Sequence, residues 1–105
     1  MIQLIDEPKY TVYRASEFRK NYKLAKKRGY KVDLLEDVIT MLAYGEPLDV
    51  KHQDHPLSGN WVGYRECHIT PDWLLIYRIE ADLLILVLAR TGTHSDLFRI
   101  THRSR

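Results

Sequence analysis

The chain has 105 residues, 45% of them apolar and 29% charged, with a formal net charge of +2. Such a chain suits one folded domain burying roughly 65% of its unfolded surface. Its one cysteine, Cys67, excludes an internal disulfide framework, and no apolar run approaches the ~18 residues of a membrane-spanning helix. The first ten residues carry Asp6, Glu7 and Pro8 and lack the basic and apolar regions of a signal peptide, so a cytoplasmic protein is expected.

Tyr10 to Tyr13 is short and β-prone and predicts a first strand. Ser16 then reads as a helix N-cap, with Phe18, Tyr22 and Ala25 recurring at helical spacing and Gly29 supplying the left-handed stop. A second helix is predicted from about Val32 to Tyr44. Leu34, Leu35, Val38, Ile39, Met41 and Leu42 form its apolar face, and Gly45 and Pro47 end it. Glu46 to Asn60 is a long polar connection, and loops of that length in small domains often carry function. Three strand-like runs follow, at Trp61 to Ile69, Trp73 to Ile79 and Leu83 to Ala89, with short turns between them. Short turns imply an antiparallel meander, and two amphipathic helices can cover one of its faces. The predicted order is β-α-α-β-β-β, an α+β domain of two helices on a twisted, mainly antiparallel sheet. No repeat or linker divides residues 1–105.

Charge is unevenly spread. Arg14, Arg19, Lys20, Lys23, Lys26, Lys27, Arg28 and Lys31 hold eight of the 16 Lys and Arg residues, opposed locally by Glu17 alone. Lys20, Lys23 and Lys27 share a helix face. Such a stripe suits a polyanion such as RNA, and equally suits an ordinary solvated helix surface. Arg99, Arg103 and Arg105, with His102, add a basic tail.

The chemistry gathers at strand ends. In a meander, His68, Asp72 and Trp73 around one turn share an edge with Arg90 and His94 at the end of the last strand. His55, on the long loop, reaches that edge only if the loop folds onto it. Histidines titrate near neutrality, and beside a carboxylate they can move protons in both directions. RNA carries its own nucleophile, the 2′-hydroxyl. Its cleavage needs a base for the 2′ proton, an acid for the departing 5′ oxygen, and a cation for the phosphorane. His55, His68, Asp72 and His94 supply the first two roles, and Arg90 the third. Trp73 and Phe98 could stack on bases, although Trp73 fits the core equally well. His52 and His55 lack the helical spacing of a zinc protease pair, and no cysteine cluster, P-loop or dinucleotide fingerprint is present.

Asp54-His55-Pro56-Leu57-Ser58-Gly59-Asn60-Trp61, Gly63-Tyr64-Arg65, His68 and Pro71-Asp72-Trp73-Leu74-Leu75-Ile76-Tyr77 resemble the YafQ toxins of bacterial toxin–antitoxin systems. Arg90-Thr91-Gly92-Thr93-His94, Leu97-Phe98 and the Lys23–Arg28 helix continue the resemblance, which spans about residues 18 to 98. It implies the RelE-like fold of the RelE/ParE superfamily and a ribosome-dependent endoribonuclease that cuts mRNA in the decoding site. It implies acid–base residues at His55, His68, Asp72 and His94, and mRNA-positioning residues at Trp73, Arg90 and Phe98. Lys20, Lys23, Lys26, Lys27 and Arg28 become candidates for ribosomal RNA contacts. Neither metal nor cofactor is expected. The implied partners are the ribosome with its 16S rRNA, mRNA, and an antitoxin with a ribbon-helix-helix part that also binds operator DNA. Related toxins on this fold inhibit gyrase by binding, a second possible activity. Residues 1–9 extend beyond the family's usual start, and the tail from Arg99 to Arg105 beyond its usual end.

Overall fold

The first and last strands of the chain lie side by side. In the computed structural model, which describes residues 7–98, β1 (Thr11–Arg14) pairs in parallel with β5 (Ile85–Gly92). β4 (Trp73–Glu80) pairs antiparallel with β5 and with β3 (Arg65–Thr70), and β3 pairs antiparallel with the two-residue β2 (His55–Pro56). The sheet order is β1-β5-β4-β3-β2. The expected α+β order is present, with two additions: β2, drawn from the long loop, and a short C-terminal helix α3 (His94–Phe98). The basic tail, and all of the N-terminal extension except residues 7–9, lie outside the described residues. No helix among the described residues is long and apolar enough to cross a membrane.

Helix α1 spans Ser16–Lys27 and α2 spans Val32–Ala43. Ser16 is the first helical residue rather than the cap. Ala15 takes the cap position, and its carbonyl accepts from Arg19 N–H at 3.0 Å. Glu17 in the first turn and Lys26 and Lys27 in the last complement the helix dipole. Gly29, at φ +83°, ends α1 as expected. Its N–H bonds to the Lys26 carbonyl and that of Tyr30 to Ala25, both at 3.0 Å, the double bond of a Schellman turn.

Phe18, Leu35, Val38, Ile39 and Leu42 from the helices pack on Cys67, Ile69, Trp73, Leu75, Tyr77, Leu86 and Leu88 of the sheet. The opposite sheet face is also covered. Leu74 and Ile76 sit under Leu57, Trp61 and Tyr64 from the loop and Leu97 and Phe98 from α3. Burial on both faces explains the unbroken apolar run of β4, since alternation is needed only where one face meets water. Two strand boundaries move inward from expectation. Trp61 belongs to a 3₁₀ turn at Gly59–Trp61, and β3 begins at Arg65. Leu83 ends another 3₁₀ turn, Leu84 takes a left-handed φ of +53°, and both are exposed before β5 starts at Ile85.

Candidate active site

The register builds the site. His55 pairs with Glu66, Glu66 with Ile76, and Ile76 with Arg90, one row across four strands. Directly paired residues project to the same face, so β2 and β3 present His55 and Glu66 together; the Arg90 side chain, at the end of the row, bonds to Asn21 of α1. Within β3, His68 lies two residues from Glu66 and shares that face. A register shift in the β4–β5 pairing between Ile76 and Tyr77 keeps Arg90 in the row.

Glu66 is the centre. It is only 4% exposed, and three imidazole Nε2 atoms surround its Oε2: His55 at 3.7 Å, His68 at 3.8 Å and His94 at 3.7 Å. These separations exceed hydrogen-bond length. The outer nitrogens have their own partners. His55 Nδ1–H donates to the Gln53 carbonyl at 2.6 Å, and His68 Nδ1–H to the Pro71 carbonyl at 3.3 Å. A carbonyl can only accept, so it keeps the proton on Nδ1 and leaves Nε2, facing Glu66, as the basic nitrogen of each neutral ring. The side chains of His94 and His55 are 62% and 47% exposed and that of His68 15%, so the first two meet solvent and the third lies between. The His94 ring also lies 5.7 Å from that of Phe98 and 6.2 Å from that of His68.

His55 reaches the sheet because its neighbour is anchored. Asp54 Oδ1 accepts from the Tyr77 hydroxyl at 2.7 Å and from Arg65 Nε at 3.3 Å. Burial, then the bond to Asp54, pushes the Tyr77 hydroxyl well above the ordinary tyrosine range. His52 stays outside the cluster and braces it, donating from Nδ1 to the His68 carbonyl at 2.6 Å.

Several sequence-based assignments shift. Asp72 lies in the exposed β3–β4 turn, lining a groove with Tyr30, Lys31 and Leu34, and takes part in none of the three short histidine–carboxylate approaches. Trp73 is 3% exposed, its ring edge-on to Tyr30 and its Nε1 donating to Thr91 Oγ1 at 2.9 Å. It is a core residue here and offers no open face to a base. Arg90 donates from Nε to Asn21 Oδ1 at 2.9 Å, an oxygen that also accepts from Thr91 N–H at 3.1 Å. A pocket of about 280 Å³ beside it is lined by Asn21, Arg28, Tyr30, Gly92 and Asp96 among others. Lys20, Lys23, Lys26 and Lys27 are exposed along α1, as a solvated or RNA-facing stripe requires. Lys20 meets Glu17 of the same helix at 3.5 Å, and Arg28 pairs with Asp96 of α3 at 3.0 Å. Glu66 and Asn21 were missed. Glu66 was legible in principle, because period-two alternation in Arg65-Glu66-Cys67-His68 puts it beside His68.

A RelE-like sheet bearing a cluster of three histidines about one buried glutamate marks the class, a small α+β toxin. The model of the family described as "Bacterial toxin of type II toxin-antitoxin system, YafQ" matches residues 10–99, and the chain belongs to that family. It is 42% identical over 85 residues to the mRNA interferase toxin YafQ of Escherichia coli K12, an alignment covering 80% of this chain and 90% of the relative. The Escherichia coli DinJ-YafQ toxin-antitoxin complex contains a chain superposing with a TM-score of 0.78 at 38% identity, covering 86% of this chain and 98% of that one. A metal-bound toxin from Helicobacter pylori superposes with a TM-score of 0.81 at 42% identity, covering 85% and 99%. Among the described residues of this chain, no three His, Cys, Asp or Glu side chains are arranged to hold a metal ion.

Proposed function

We propose that this chain is a ribosome-dependent endoribonuclease that cleaves translated mRNA by acid–base catalysis and thereby halts translation in the cytoplasm. The observation that carries this reading is the convergence of His55, His68 and His94 on Glu66, in register with Arg90. The name of its Escherichia coli relative, an mRNA interferase, points the same way. One exposed histidine takes the 2′ proton as the 2′ oxygen attacks phosphorus. The other protonates the departing 5′ oxygen as its bond to phosphorus breaks, leaving a 2′,3′-cyclic phosphate and a 5′-hydroxyl. His94 and His55 are the exposed pair, and His68 with Glu66 sets their charge balance. Arg90, steadied through Nε by Asn21, directs its terminal nitrogens to the phosphorane oxygens. Phe98, against His94, supports a base near the reacting phosphate, and Asp72 at the neighbouring turn is a secondary acid. The α1 lysines meet ribosomal RNA phosphates. No step uses a metal.

The partner is an antitoxin, as in the DinJ-YafQ complex. A ribbon-helix-helix part of that antitoxin would carry the pair to operator DNA.

Primer extension on a translated reporter, with and without ribosomes, tests the reading. Codon-phased cuts that need ribosomes, survive chelation and fall about 100-fold in His94→Ala, to a residual rate that can still be followed, are expected. Growth arrest without cuts would replace it with a non-enzymatic inhibitor that binds a target such as gyrase. Cuts abolished by chelation and restored by a divalent ion would replace it with a metal-dependent nuclease.

A further inference from the structure

His94 is the most exposed member of the cluster, and it opens a helix of only five residues (His94–Phe98). So short a helix has little stability of its own. Something else must fix where its first residue points.

Asp96 is placed to do so. Its Oδ2 accepts from Thr93 N–H at 3.0 Å, and its own N–H donates to Thr93 Oγ1 at 3.1 Å. This reciprocal pair is a capping box with aspartate in the usual glutamate position, and it brackets His94. The same Oδ2 accepts from Arg28 Nη1 at 3.0 Å. Arg28 caps the C-terminus of α1, so one carboxylate oxygen ties α3 to the helix on the other side of the pocket beside Arg90. Room for it comes from Gly92, where an added Cβ would stand 3.0 Å from both Cβ and Oδ2 of Asp96. Burial alone would raise this carboxyl's pKa. The Thr93 N–H and the Arg28 guanidinium outweigh it and hold the pKa below the ordinary aspartate value, so the latch is charged at neutral pH.

We propose that Asp96 is a positioning residue for His94, latching α3 to α1 through Thr93 and Arg28 so that the His94 ring is held beside Glu66. The catalytic part of this inference rests on the cleavage reading above; the structural part does not.

The test has two arms. Without substrate, the imidazole signals of His94 are followed by NMR in wild type, Asp96→Ala, Arg28→Ala and Gly92→Ala. Shifted or broadened His94 signals in the three variants, with those of His52 unchanged, are expected. An undisturbed His94 in folded Asp96→Ala overturns the latch whatever the protein's activity. With ribosomes and mRNA, Asp96→Ala should lower kcat about 10- to 100-fold, as small misplacements of a catalytic group do, with KM within about twofold. Arg28→Ala, which leaves the capping box, should cost about 2- to 5-fold, and Asp96→Glu should restore most of the loss. The decisive comparison is in the His94→Ala background, where Asp96→Ala should cost nothing more. An equal loss in both backgrounds would mean that Asp96 does not act through His94. A wild type that does not cleave, or a His94→Ala variant that cleaves equally well, fails the cleavage reading and leaves the NMR arm to decide the latch.

Discussion

Tyr77 and Asp54 are 23 residues apart in sequence, and the tyrosine hydroxyl donates to the aspartate at 2.7 Å. Tyr77 is 1% exposed, in the central strand and on the helix-facing side of the sheet. Asp54 immediately precedes His55. A core side chain therefore fixes the loop that delivers a surface histidine.

Tyr77→Phe keeps the ring and removes the bond. A hydrogen bond to a charged partner contributes about 1.5–3 kcal/mol, so a fall in thermal midpoint is expected. Cleavage should fall as well, because His55 loses its anchor. Activity assayed well below the midpoint separates the two effects, and full activity there would show that Arg65 alone holds Asp54.

Glu66→Gln should separate stability from function. Glu66 is buried with its three imidazole neighbours beyond hydrogen-bond length, and a buried carboxylate without such bonds is costly, so the neutral amide removes that cost. The variant is expected to melt no lower than wild type while kcat falls about 100-fold, the scale of lost acid–base assistance. An active variant would leave the three histidines without need of the charge they surround.

Cys67 should be silent in the native state. It is fully buried, and burial, reinforced by the nearby charges of Asp54 and Glu66, pushes its thiol up to about 12. The thiolate is the reactive form. At pH 8 a disulfide reagent should label it only at the rate of unfolding, and denaturant should bring one thiol into reaction. Rapid labelling of folded protein would contradict the packing of β3.

Acid stability should report on Glu36. Burial would raise its carboxyl, but the Arg14 guanidinium at 2.8 Å and the Tyr22 hydroxyl at 2.7 Å outweigh burial and hold it below the ordinary glutamate value. A depressed folded-state value means stability that is complete above the unfolded value, about 4.3, and is lost as pH falls through the folded one. Tyr22 moves the other way, raised by burial and by its bond to Glu36. Its contribution is present below the ordinary tyrosine value and is lost as pH rises through the raised one. Thermal midpoints across pH should therefore show Glu36→Gln flattening both limbs. Wild-type slopes at either end would exclude Glu36 as their source.

The helices and the meander were legible because their signals are local: 3.6-residue periodicity, glycines past the helix ends, apolar runs between short turns. The same alternation that predicted β3 also places Glu66 beside His68, but a charged residue in a strand reads as solvent-facing until the opposite face is known to be covered. That cover comes from Trp61, Tyr64 and Leu97, which approach only in three dimensions. Trp73 illustrates the converse. Its position at the rim suggested stacking, whereas Tyr30 and Thr91, remote in sequence, enclose it. His55 depended on Tyr77 and Arg65, and no local pattern encodes that tether. Asp96 went unremarked because a Thr-x-x-Asp box matters only once the helix it opens is seen to carry His94.

The parallel pairing of β1 with β5 has a consequence for how the chain comes into being. Synthesis runs from the N-terminus, yet among the described residues β1 has no paired strand until β5 has emerged, and non-local pairings of this kind form late. His94 follows β5. A ribosome translating this message thus passes β5 and residue 94 before the cluster around Glu66 exists, which separates the start of synthesis from the assembly of the site.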